Sequence, residues 1–83
     1  MDGTAKLLKD LTEAHGVPGF ESPVRAVVKA YYQKLGEISQ DKLGSVICKK
    51  QGSAEEPRVM IAGHMDEIGF LVKYVTEEGF IKF

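Results

Sequence analysis

Apolar residues first recur at three- and four-residue steps and later at two-residue steps, so helices are predicted before strands. Over residues 4–14, Leu7, Leu8, Leu11 and Ala14 share one stripe, the spacing of a helix that buries one face. Gly16, Pro18 and Gly19 then break the chain. A second helix is predicted to begin at Ser22, which can cap it, with Pro23 at the first helical position, where a missing N–H costs nothing. Val24, Val27, Val28, Tyr31 and Leu35 form its apolar face. Tyr31 belongs to that stripe and Tyr32 to its edge. Gly36 is placed to end the helix in the left-handed conformation.

From residue 37 the period becomes two. Residues 37–40 are predicted as a short strand, 41–44 as a turn and 45–50 as a second strand. Residues 51–57 are polar and rich in breakers, so they form a loop, and Glu55-Glu56 belongs to its solvated surface. Residues 58–62 are predicted as a third strand, continuously apolar after Arg58, as expected when both faces are covered. Residues 67–75 alternate: Ile68, Phe70, Val72 and Tyr74 lie on one face and Glu67, Gly69, Leu71, Lys73 and Val75 on the other. Residues 76–79 read as a hairpin loop and 80–83 as the start of a return strand. The fold class is therefore α/β: two helices, then the strands of a mixed sheet. Ile81-Lys82-Phe83 would leave an apolar strand edge open, which invites aggregation, so a longer parent chain is expected.

Eighty-three residues make one small domain with a marginal core. Net charge is −1, which argues against a dedicated nucleic-acid binder and against electrostatic attachment to membranes. The apolar runs are too short to span a bilayer, and the N-terminus, with Asp2, Lys6, Lys9 and Asp10 among its leucines, lacks the apolar core of a signal peptide. Cys48 is the only cysteine, so no internal disulfide forms and a cytoplasmic home is expected. In its β-prone run Cys48 reads as a small hydrophobe rather than a nucleophile.

The chemistry concentrates at Gly63-His64-Met65-Asp66-Glu67. Side chains two apart in an extended segment point the same way, so Asp66 can reach the His64 ring or a metal that the ring binds. A ligating histidine usually has a carboxylate or carbonyl on its other nitrogen. The spacing alone equally fits a His and an Asp satisfied by backbone groups at a strand end. A catalytic zinc usually takes three protein ligands, so this pair cannot form a complete site. Glu67 lies on the opposite face under strand alternation and reaches the site only if the segment is not extended. His15 suits a helix C-terminal cap better than a metal ligand, and Glu21 suits the N-terminus of the second helix. No phosphate-cradling glycine pattern and no Ser/His/Asp set is present.

Gly63-His64-Met65-Asp66-Glu67-Ile68-Gly69-Phe70 resembles the first metal-site segment of the tetrahedral aminopeptidase family, the cellulase-M-like or glutamyl aminopeptidase-like metallopeptidases. The resemblance extends through Leu8 and Leu11, His15-Gly16-Val17-Pro18-Gly19-Phe20-Glu21, and Asp41-Lys42-Leu43-Gly44-Ser45, where Ser45 replaces the usual Asn. It implies an N-terminal portion of a zinc-peptidase-like α/β/α sandwich. Residues 1–70 would belong to the catalytic domain and 71–83 to the start of an inserted β-rich dimerisation domain. It further implies an aminopeptidase acting on peptide N-termini through water activated by two divalent metals, zinc or cobalt. His64 would be a metal ligand and Asp66 a catalytic residue supporting it. The remaining ligands and a general-base Glu have no counterparts here, so the chain alone should be inactive. Self-association into dimers and a tetrahedral dodecamer is implied as well.

Two other readings compete. One is a catalytically inert fragment acting only as a structural or interaction module, for it lacks the other ligands. Relatives labelled endoglucanase raise glycoside hydrolysis, which needs two facing carboxylates. Asp66 and Glu67 are adjacent and diverge on a strand, which ranks that reading below a peptidase.

Overall fold

The computed structural model describes residues 2–83. Helix α1 spans Gly3–Glu13 and helix α2 spans Ser22–Tyr32. Asp2 caps α1, its Oδ1 accepting the Ala5 amide at 2.8 Å, which satisfies one of the first-turn donors. The predicted cap of α2 is corrected: Ser22 is already helical and Glu21 is the capping position, without a side-chain cap bond. Glu21 instead accepts the Gly19 amide at 3.0 Å, and Gly19 takes a positive φ of 86° that glycine adopts without a Cβ penalty.

Strands β1 (Glu37–Gln40) and β2 (Val46–Lys49) pair antiparallel, with Ile38 opposite Cys48 and Gln40 opposite Val46. The turn between them is closed from inside. Asp41 Oδ1 accepts the amides of Leu43 and Ser45, both at 2.9 Å, and Gly44 has φ 93°. Gly36 does not adopt the left-handed conformation expected of it; α2 ends at Tyr32. A Cβ at Gly36 would instead collide with the Lys49 carbonyl. The glycine serves a close backbone approach rather than a helix stop.

The helices and the β1–β2 hairpin pack on one another, α1 on α2 and α2 on β2. Val24, at 4% exposure, is the one buried hydrophobic side chain among the described residues. Tyr31 donates to Asp10 Oδ2 at 2.8 Å and ties the two helices together. Cys48 is half-buried, its Sγ 3.7 Å from the Tyr32 carbonyl.

The rest of the predicted sheet is corrected. Residues 58–62 form no strand, and of residues 67–75 only β3 (Tyr74–Val75) does, pairing with β4 (Ile81–Lys82). The sheets are two separate antiparallel pairs. A strand exists through its ladder partners, and residues 58–62 have none among the described residues. Val59, Met60 and Ile61 are 80%, 88% and 94% exposed. The radius of gyration is 17.4 Å, against ~12 Å for a compact domain of this length. The β3–β4 hairpin closes as predicted: Thr76 donates to Phe80 O at 2.7 Å, and Gly79 takes φ 90°.

Candidate metal and peptide site

Residues 63–67 leave the apolar run 59–62 and cross beneath the loop that joins the helices. The support is backbone to backbone. The Glu67 amide donates to the Gly16 carbonyl at 2.8 Å. Gly16 is buried, and a Cβ there would lie 3.1 Å from the Met65 carbonyl and 3.2 Å from Val24 Cγ1. Two residues on, a Cβ at Gly69 would strike Val17. The loop of residues 15–19 thus seats the segment that carries His64 and Asp66.

His64 Nδ1 lies 2.9 Å from Asp66 Oδ1 and 3.2 Å from the Asp66 carbonyl. In the neutral tautomer that this network selects, Nδ1–H donates to the carboxylate and Nε2 keeps its lone pair. The ring is 85% exposed and the carboxylate 42%, so Nε2 is open to a ligand. A carboxylate on one ring nitrogen with the other free is the arrangement of a metal-binding histidine. His64 and Asp66 therefore fit one ligand and its orienting partner. Among the described residues no group of three or more His, Cys, Asp or Glu is gathered to hold a metal.

The pair opens into a cleft of about 600 Å³. Residues 63–67, the Leu43–Val46 end of the β1–β2 turn, Leu11 and Thr12 of α1, and Val24, Arg25 and Val28 of α2 all line it. Glu67 lines the same cleft, because the segment is irregular and the alternation predicted for a strand does not apply. Arg25 and Glu21 are well covered, at 18% and 21% side-chain exposure. His15 is exposed and outside the cleft lining. A smaller groove of about 310 Å³ between α1 and α2, lined by Lys6, Asp10, Tyr31 and Lys34 among others, holds none of the site residues.

Sequence reasoning placed His64 and Asp66 together but missed Gly16 and Arg25. The signal for Gly16 was a glycine directly after the first helix, ahead of Pro18 and Gly19. The signal for Arg25 was a charge flanking the apolar stripe of the second helix.

With this geometry in hand, the chain can be set beside known proteins. Residues 44–83 match the family model described as M42 glutamyl aminopeptidase, and residues 2–28 match one described as AMPT. A glutamyl aminopeptidase of Lactococcus lactis is 42% identical over 74 residues, 87% of this chain and 21% of that protein. A lysyl aminopeptidase of Pyrococcus furiosus is 38% identical over 79 residues, 93% of this chain and 22% of that protein. The crystal structure of a TET aminopeptidase from a marine sediment Thaumarchaeota archaeon superposes with TM-score 0.85 at 42% identity, over 96% of this chain and 23% of that one. The chain is similar to M42 aminopeptidases over most of its length. It spans about a fifth of the length of these relatives. The M42 likeness also accounts for the order of elements, two helices followed by antiparallel strands. No helix among the described residues is long and apolar enough to cross a membrane.

Proposed function

We propose that this chain supplies the first metal ligand and one wall of the substrate cleft to an aminopeptidase that removes residues from the N-termini of peptides. The observation that carries the reading is the His64 ring braced by Asp66 at 2.9 Å, open to a cleft, on a chain similar to M42 aminopeptidases. Residues 1–70 would be catalytic-domain sequence and 71–83 the start of an inserted dimerisation domain, which accords with a β3–β4 hairpin that pairs chiefly with itself. Association into dimers and larger homo-oligomers, and a cytoplasmic location suited to a single free cysteine, complete the proposal.

Two divalent metals, zinc or cobalt, would supply Lewis acidity and an acidified water. The residues here do the aiming. Asp66 holds the His64 Nδ1 proton, which fixes the tautomer, turns Nε2 outward and raises its basicity. The Gly16 carbonyl, bonded to Glu67, keeps the 64–67 segment from swinging. The turn at Leu43–Ser45, which lines the same cleft, would confine a bound chain. The glutamyl and lysyl relatives are named for opposite side-chain charges at similar identity. The proposal therefore stops at a peptide's free N-terminus, without a preferred residue.

The test is hydrolysis of aminoacyl-nitroanilides by the intact polypeptide, with metal content measured alongside. His64→Ala should abolish turnover and lower bound metal. Asp66→Asn should keep the fold and lose about 10–100-fold in activity or metal affinity. Turnover and metal stoichiometry that survive His64→Ala would refute the ligand assignment.

A further inference from the structure

We propose that Arg25 is a positioning residue that fixes the β1–β2 turn lining the same cleft as His64, and so sets how tightly a peptide is seated; the inference rests on the aminopeptidase reading above. Arg25 ties the start of its own helix to one segment distant in sequence, the β1–β2 turn. Its Nε donates to the Gly44 carbonyl at 2.9 Å. Its Nη1 lies 3.5 Å from Ser22 Oγ. Its Nη2 lies 3.9 Å from Glu21 Oε2, the carboxyl group that also accepts the Gly19 amide.

The contact with Gly44 is shaped on both sides. Gly44 has φ 93°, and a Cβ there would stand 2.7 Å from Nη2, so the guanidinium edge abuts bare backbone. The turn it grips is stiff in itself, since Asp41 Oδ1 holds the Leu43 and Ser45 amides. A stiff turn held at one outside point moves as a body when that point is released. The face it presents lines the same cleft as His64 and Asp66. Arg25 touches neither of those residues, so its influence on them passes through the turn. A planar guanidinium that donates from Nε to the Gly44 carbonyl while its other nitrogens face Ser22 and Glu21 is not reproduced by a lysine ammonium, whose single charge sits at the end of a flexible stem.

The experiment compares wild type, Arg25→Met and Arg25→Lys in the intact polypeptide. It measures kcat and KM on an aminoacyl-nitroanilide and on a tripeptide, with bound metal and thermal midpoint followed alongside. Both variants should raise KM about tenfold, the scale of one lost charge-assisted hydrogen bond. The kcat should stay within about threefold and bound metal should be unchanged. The Gly44 carbonyl ¹³C resonance should shift in both, which reports the broken contact without any turnover. KM within twofold of wild type in Arg25→Met would overturn the inference. So would full recovery of KM by Arg25→Lys, or a fall in kcat and bound metal that follows the thermal midpoint, since that pattern marks a merely structural role. The His64→Ala result judges the aminopeptidase reading separately, because it is read on turnover and metal rather than on KM.

Discussion

Gly16→Val is the substitution that tests most directly whether the loop between the helices holds the candidate site. Gly16 is buried, and a Cβ there meets the Met65 carbonyl at 3.1 Å on one side and Val24 Cγ1 at 3.2 Å on the other. Neither neighbour yields easily. One is backbone between His64 and Asp66, and the other is the best-buried side chain, a β-branched one with little freedom at χ1. Valine adds two methyl groups beyond that Cβ. Overpacking of this kind costs about 1–3 kcal/mol. Straining the 2.8 Å bond from the Glu67 amide to the Gly16 carbonyl adds about 0.5–1.5 kcal/mol. Losing glycine's freedom in the unfolded chain returns about 0.4–1 kcal/mol. The net is about 0.5–4 kcal/mol, which converts to about twofold to a thousandfold easier local opening. Amide hydrogen exchange of Glu67 reads this opening directly, with the interior amides of α1 as the internal reference. The Glu67 amide should exchange faster by a factor in that range, and the change should exceed that in α1. Gly16→Ala should give a smaller effect of the same sign, because a shift of a few tenths of an ångström relieves it. An unchanged Glu67 exchange rate in Gly16→Val, within twofold, would refute the claim that this loop seats the 64–67 segment.

Two further predictions concern pH. The Ser45 amide, with that of Leu43, holds the Asp41 carboxyl below its usual range against the opposing effect of burial. A lowered folded value means that the contribution is present above the ordinary carboxylate range and is lost as pH falls through the folded value. The Leu43 and Ser45 amide resonances should therefore move in a step below pH ~3.8, and Asp41→Asn should remove the step and loosen the turn; Asp41 titrating at or above its ordinary value would contradict this. Tyr31 runs the other way: its hydrogen bond to Asp10, then burial, raise the phenol above its usual value. That link between α1 and α2 is fully present below the unfolded phenol value and lost as pH rises through the folded one. An alkaline drop in thermal midpoint should follow and should be absent in Tyr31→Phe; equal alkaline behaviour of the two proteins would discard the link.

What could be read from the sequence was what short-range chemistry determines. Both helices were legible because their stripes and breakers are local, and Asp41 through Ser45 announced a turn that its own carboxylate closes. The His64–Asp66 contact was legible for the same reason, since two residues separate its partners. The errors fall where the deciding atom is distant in sequence. Gly36 is glycine because of the Lys49 carbonyl thirteen residues away, and no helix-stop rule contains that fact. Residues 58–62 carry strand composition, but strand formation needs another backbone to accept and donate, and the described residues offer none to Val59, Met60 or Ile61. Glu67 was assigned the far face by an alternation that holds only in a ladder; with the ladder absent, its amide turns to Gly16 and its side chain reaches the cleft. Gly16 and Arg25 were invisible on the same ground, because each acts across a tertiary gap. In this chain, then, the His64–Asp66 spacing is a local property, and what aims the pair is not. Substitutions in the 15–19 loop and at Arg25 should therefore disturb the site as surely as substitutions in the motif itself, while leaving every residue of the motif unchanged.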